Sequence, residues 1–516
     1  MENFIQTVTD VNNVINNFVW IKLGIAILLG TGVLMTVLTK FFQVTHIGHW
    51  MKNTLGAIMS KDVSAHTKDK TISQFQSLCT ALAATVGVGN IAGVATAIAV
   101  GGPGAVFWMW VAAFFGMMTN YSENVLGIFY RRKNIDNEWS GGPMYYLQDG
   151  LGRYKGCKII GKILAILFCL FALLASFGIG NMGQVNKIVA NIESAFKIPA
   201  LSTPVFGEVT LYAVLIGVVL LILAAVIIVG GLKRIAEVAE KIVPVMVVLY
   251  VLGSLVIIFA NITGIIPAFA SIFKMAFAGE AVWGGAAGVL ISKAMTQGFK
   301  RGIFSNEAGL GSSVLVHSSS NVVEPVRQGM WGIFEVFADT MVVCTMTALT
   351  ILTSGVINLE TGMIVEGASD ATLVGTAFDT IFKIGDVNIG SMFIAVTVFL
   401  FAFTTVLGWS QYGTKAWEYL FGTKSTIIYK VIFTLMIMSG ALMTSSLAWD
   451  ISDTFNGLMM IPNLIGVATL SPVVVLLTKN YIDRRINGKD VKPMLNYDPR
   501  VQAEEEAKLK ADKDAL

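Results

Sequence analysis

Charge is what this sequence has least of. Only 13% of its 516 residues are Asp, Glu, Lys or Arg, about half the roughly 25% of a soluble domain. With 55% hydrophobic residues and a mean hydropathy of +0.71, the chain is an integral membrane protein, not a soluble core. A net charge of +3 is too small for a nucleic-acid surface. Cysteine is scarce as well. Cys79, Cys157, Cys169 and Cys344 show no CxxC or paired spacing, which argues against a disulfide framework or a metal site. Of four histidines, His46, His49 and His66 share one loop and His317 stands alone. The His46-x-x-His49 pair reads more readily as part of a solvated loop than as a metal site. HExxH and G-x-S-x-G motifs are missing, as is any intramembrane His/Asp or Cys/His cluster, so the chain is not an enzyme and implies no organic cofactor. Glu2 and Asp10 stand where a signal peptide would be basic, so the first helix is expected to be retained.

Long apolar runs are what the sequence has in their place. They fall at about 18–38, 73–100, 104–130, 160–190, 208–230, 238–262, 281–315, 328–354, 388–416, 426–447 and 453–479. At about 20 residues per crossing these predict eleven transmembrane helices in an all-α protein. Basic residues orient them. Lys40, Lys52, Lys61, Lys68 and Lys70 load the first loop, Arg131, Arg132, Lys133 and Arg153 the next but one, and Lys479, Arg484 and Arg485 open the tail. Lys233, Arg234, Lys300, Arg301, Lys415 and Lys424 fall on the same side when eleven spans are threaded in order. The sequence therefore predicts a multi-pass cell-membrane protein with its N-terminus outside and its C-terminus cytoplasmic. The tail, 480–516, is polar and carries Glu504-Glu505-Glu506, and reads as a solvated or partly helical end.

The span at 73–100 reads SQFQSLCTALAATVGVGNIAGVATAIAV, with Gly87, Gly89, Asn90 and Gly93 at its midpoint. Each glycine costs a helix interior roughly 1 kcal/mol relative to alanine. Backbone groups released in lipid must also find another partner. A span that breaks its own helix there exposes backbone for a small solute or an ion. With 1–72 set aside as an extra helix and loop, the other ten spans divide into two fives, 73–262 and 263–479. The first member of each five is long and glycine-rich; the second copy carries Gly284, Gly285, Gly288, Gly298, Gly302, Gly309 and Gly311. Five spans per copy force opposite orientations, the inverted-repeat pattern of secondary transporters. The alternative for the glycines is close helix packing.

The motifs TALAATVGVGNIAGVATA (80–97), GGPGAVFWMW (101–110), GGPMYY (141–146), FGIGNMGQ (177–184), GIFSNEAGLGS (302–312) and TVLGWSQYG (405–413) resemble the alanine or glycine:cation symporter family, in order and over nearly the whole chain. The resemblance implies sodium-coupled uptake of alanine or glycine on a LeuT-like five-plus-five fold. A zwitterionic substrate needs donors for its carboxylate and acceptors for its ammonium group. The break at Gly87-Val88-Gly89-Asn90 offers N–H groups near a half-helix N-terminus, where the dipole favours an anion. Asn90 offers both amide functions. The resemblance adds Gln184, with Phe177 and Asn181 nearby, and Trp409 as the residue capping the substrate side chain. Comparison with LeuT-like transporters implies a sodium ion held by the carbonyls of Ala83 and Val86 and the hydroxyls of Thr404 and Thr405; sodium prefers oxygen ligands. The alternative for each Thr is a bond back to its own helix. Glu307, beside Lys300 and Arg301, is expected to act structurally at the cytoplasmic end. Glu123, Glu335 and Asp339 are expected towards helix ends within reach of Lys or Arg, and they keep proton coupling open as an alternative. A channel is the remaining alternative, but it lacks a filter signature.

Overall fold

The computed structural model describes residues 2–64, 71–277, 293–365, 372–443 and 447–514. Its main helices are α1 (Gln6–Leu38), α2 (Gln74–Thr85), α3 (Gly89–Gly101), α4 (Ala105–Phe129), α5 (Lys158–Phe196), α6 (Leu211–Ile228), α7 (Gly231–Ala260), α8 (Lys293–Asn306), α9 (Pro325–Thr353), α10 (Ile389–Phe421), α11 (Thr423–Leu442), α12 (Asp450–Thr469) and α13 (Ser471–Ile486). Three two-stranded hairpins are the only sheets among the described residues. Seven of these helices are long and apolar enough to cross a membrane, and nine spans result when the bent pairs α2–α3 and α12–α13 each count as one. The other two expected spans are α4 and 281–315; α4 is long enough but carries the polar run Thr119–Asn124. The first part of 281–315 lies outside the described residues.

The molecule is arranged inside out relative to a soluble protein. Val219, Ile222 and Val226 on α6, and Val245, Val248 and Leu252 on α7, are apolar and each more than half exposed, as a lipid-facing surface requires. By contrast Asn120, Ser122, Glu123 and Asn124 on α4 are fully buried. Polar side chains inside a membrane bundle must satisfy one another, and they mark the working interior.

Helix α2 begins at a capping box. Ser73 Oγ accepts from the Gln76 N–H and Gln76 Oε1 accepts from the Ser73 N–H, both at 3.1 Å, which fixes the helix start. The residues just before it are tied to the segment after α8: the Ile72 N–H donates to the Ser319 carbonyl, and the Asn321 N–H to the Ile72 carbonyl. The tail is more than a solvated end. Its helix α14 (Pro499–Asp514) docks back, and buried Glu505 lies 3.5 Å from Arg131. Arg131 in turn donates to the carbonyls of Ser320 and Val322. Nearby, the hydrogen bond from Lys133 holds the Glu504 carboxyl below its usual range.

Candidate functional site

The glycine-rich span is broken. Helices α2 and α3 meet at a 51° bend, with Val86 to Val88 between them. The Gly87 N–H donates to Asn90 Oδ1 at 2.9 Å, and the Asn90 N–H to the Gly87 carbonyl at 3.2 Å. Those two N–H groups are the ones a continuous helix would give to the carbonyls four residues back. The carbonyls of Ala83 and Val86 are therefore released from the helical ladder.

Asn90 is fully buried, and both of its amide functions are engaged. Its Nδ2 donates to Asp339 Oδ2 at 2.6 Å. Asp339, on α9, also accepts from the hydroxyls of Ser305 and Thr340, each at 2.8 Å. The Thr347 hydroxyl donates to the Asn90 carbonyl at 2.7 Å. One buried carboxylate thus joins the first break to α8 and α9.

Helix α10 closes on the break from another side. A Cβ on Gly87 would lie 2.5 Å from Thr405 Oγ1, and a Cβ on Gly408 within 2.6 Å of Ala84. Only glycine at these two positions allows so close an approach. The Thr405 hydroxyl donates to the Phe401 carbonyl at 2.9 Å, which leaves its lone pairs available. Thr404 donates to the carbonyls of Leu400 and Phe401 at 3.0 Å and lies 3.5 Å from Met246 Sδ, so it faces α7.

Trp409, one turn beyond Thr405, packs on bare backbone at Gly180 of α5, and its Nε1 donates to Glu307 Oε1 at 3.0 Å. Gln184, one turn along α5 from Gly180, donates from Nε2 to the Ile179 carbonyl at 3.0 Å, while its Oε1 is buried without a partner. Asn181 likewise leaves Oδ1 unpaired and donates to the Phe433 carbonyl. Unpaired buried acceptors are costly unless something donates to them. Phe177 packs against Tyr429 and Phe433 of α11, with ring centroids 5.4 and 6.3 Å away.

The sequence points to a second break near 288–302, and 288–292 lie outside the described residues. Gly298 and Gly302 lie inside the continuous helix α8 and pack against α4: a Cβ on Gly298 would lie 2.4 Å from the Ala105 carbonyl oxygen and 2.5 Å from Trp108 Cβ. The chain turns afterwards, at Glu307 (φ 53°), Gly309 (φ 92°) and Gly311 (φ 75°). Glu307 is thus at the break, bonded to Trp409 and Ser312. The other carboxylates also bond to neutral or imidazole partners rather than to Lys or Arg. Glu123 accepts from Asn463, and Glu335 accepts from Asn120 and lies 3.0 Å from His317 Nε2. Their partners lie inside the bundle, where the sequence suggested helix ends, and Glu123 Oε2 and Glu335 Oε1 are buried without a partner. Asp339 as the partner of Asn90, and Gly180 as the seat of Trp409, are the features that sequence reasoning missed. A carboxylate in mid-span is the available signal for the first.

Discontinuous helices around a buried polar interior are the architecture of a multi-pass membrane protein of LeuT-like fold, and the family and relatives of this chain are transporters rather than enzymes. The chain belongs to the sodium:alanine symporter family, whose model matches residues 5–495. It is 43% identical over 475 residues to the sodium/alanine symporter AgcS of Methanococcus maripaludis, covering 92% of this chain and 97% of that one. It is 36% identical over 489 residues to the probable sodium/glutamine symporter GlnT of Bacillus subtilis, covering 94% and 93%. Among solved structures, that of MhsT in complex with L-phenylalanine aligns with a TM-score of 0.50 and 13% identity over 80% of this chain and 99% of that one, a likeness of fold alone. The protein is a cation-coupled amino-acid symporter.

Proposed function

We propose that the protein carries a small neutral amino acid, alanine or glycine, into the cell on a sodium gradient, by alternating access. The observation that carries this reading is the release of the Ala83 and Val86 carbonyls at a break that the Thr405 hydroxyl approaches at Gly87. Two carbonyl oxygens and a hydroxyl suit a hard monovalent cation. Thr404, turned towards Met246, is the outer member of that set. The substrate carboxylate would take the N–H at Gly89, while Asn90 shapes the break by holding the Gly87 N–H. Its ammonium group would donate to the unpaired Gln184 Oε1. Trp409 would close over the side chain, with Phe177 in the layer behind. The relatives' names support sodium and alanine, and the name GlnT supports a substrate that differs within the family.

In this reading 73–262 and 263–479 are the two inverted copies, with the N-terminus outside and the tail cytoplasmic. Sodium couples to substrate only by binding the outward- and inward-facing states unequally; ordering the break at Val86–Val88 would do that. Uptake of labelled alanine into proteoliposomes is expected to saturate, and to collapse when external sodium is replaced by potassium. One observation favours a second reading, proton coupling: the buried Asp339 carboxylate bonds directly to Asn90. Uptake that persists undiminished in potassium under a proton gradient would overturn sodium coupling and select that reading.

A further inference from the structure

Trp409 is held from three directions. Its indole N–H donates to Glu307 Oε1 at 3.0 Å. A Cβ added to Gly180 would lie 2.4 to 2.6 Å from Trp409 Cγ, Cβ and Cδ2, so that part of the side chain rests on bare backbone. Tyr412 meets the ring edge-on, with centroids 5.3 Å apart. Glu307 is itself constrained. It takes a left-handed backbone conformation, φ 53°, that a non-glycine residue seldom adopts. Its N–H donates to the Ile303 carbonyl at 2.9 Å, and its second carboxylate oxygen accepts from the Ser312 hydroxyl. Both Glu307 and Trp409 are buried.

A residue held in uncommon backbone geometry, with its carboxylate divided between a neighbouring hydroxyl and an indole on another span, does more than fill space. We propose that Glu307 is a positioning residue for Trp409 and that, together with Gly180, it sets the upper size limit on the transported side chain. This rests on the reading that Trp409 closes over the substrate. A large ring fixed in one orientation imposes a sharp steric limit, whereas a ring free to swing admits longer side chains. Discrimination by one methylene in an apolar pocket is worth roughly 10–200-fold, and that range is what a loosened Trp409 would forfeit.

The test is the ratio of alanine to leucine specificity, measured as kcat/KM from uptake into proteoliposomes holding the full chain. Glu307→Leu keeps the side-chain bulk and removes the acceptor. It is expected to shrink the alanine-to-leucine ratio by about tenfold or more, and Glu307→Gln, which can still accept from the indole, to restore most of it. Trp409→Phe removes the indole N–H with Glu307 intact and should shrink the ratio in the same direction; it decides the matter if Glu307→Leu does not fold. Gly180→Ala pushes the ring aside and should depress alanine transport more than glycine transport. A purely structural role for Glu307 would lower uptake of both amino acids in parallel. An unchanged ratio in folded Glu307→Leu, or in Trp409→Phe, would overturn the proposal. Failure of the underlying reading looks different: Trp409→Ala would then leave the whole substrate range unaltered.

Discussion

The two breaks, which the proposed two-copy arrangement would put at corresponding places, are made by different chemistry. The first, between α2 and α3, is an unwinding stabilised by a neutral amide, with Asn90 Oδ1 taking the Gly87 N–H. The second, after α8, is a turn through three positive-φ residues, Glu307, Gly309 and Gly311, tied down by a carboxylate. The first releases carbonyl oxygens at a break that a hydroxyl approaches at Gly87, an arrangement suited to a small ligand. The second commits its carboxylate to orienting Trp409. Two breaks in one bundle therefore need not act alike. One can offer backbone while the other holds the wall opposite.

If that division of labour is right, Asn90→Ala has the largest effect. It removes the acceptor for Gly87 and a donor to Asp339 in one step. Leaving such buried groups unpaired costs about 1–3 kcal/mol each, and about 3 kcal/mol is near a hundredfold in rate. Alanine uptake by the purified variant should fall about a hundredfold or more. Uptake within tenfold of the unaltered protein would mean that the first break does not depend on its amide.

Gly87→Ala comes next. The new Cβ would lie 2.5 Å from Thr405 Oγ1, so α10 must move away from the break. The sodium concentration for half-maximal uptake should rise about tenfold, against several-fold for Thr405→Ala; each factor of ten is about 1.4 kcal/mol. The pair should be non-additive, because deleting the hydroxyl relieves the clash. Thr404→Ala, whose hydroxyl faces Met246, should change sodium dependence less than Thr405→Ala. The reverse order would move the ion towards α7.

The first break is legible because glycines and an asparagine interrupt an otherwise apolar run, and in lipid that interruption is expensive. The second is less legible: its glycines run from Gly284 to Gly311, and the turn after α8 combines the last two, Gly309 and Gly311, with Glu307, whose type gives no hint of positive φ. The all-α membrane architecture can be read from hydropathy, since lipid-facing helices must be apolar. Asn90 can be singled out as costly, but its bond to Asp339, 249 residues away, depends on how α9 packs beside α3, which no local pattern encodes. Thr405 and Thr404 are adjacent and alike in sequence. Only the rotation of α10 turns one to the break and the other to α7.

The smallest effects are expected at the two glycines inside α8, and they test the boundary of the second break. Gly298 sits where α8 crosses α4, with the Ala105 carbonyl and Trp108 Cβ in the way of any Cβ. Gly298→Ala should overpack that crossing at a cost of about 1–3 kcal/mol. A lower unfolding temperature with sodium half-saturation unchanged is the expected result. One turn along, a Cβ on Gly302 would meet Met109 Cα at 3.3 Å and Ala112 Cβ at 3.4 Å. There the neighbours need give only a few tenths of an ångström, while alanine gains up to about 1 kcal/mol of helix propensity. Gly302→Ala should therefore be close to neutral in both readouts. A shift in sodium dependence at either position, without loss of stability, would show that α8 itself belongs to the break and that the two halves are more alike than their turns suggest.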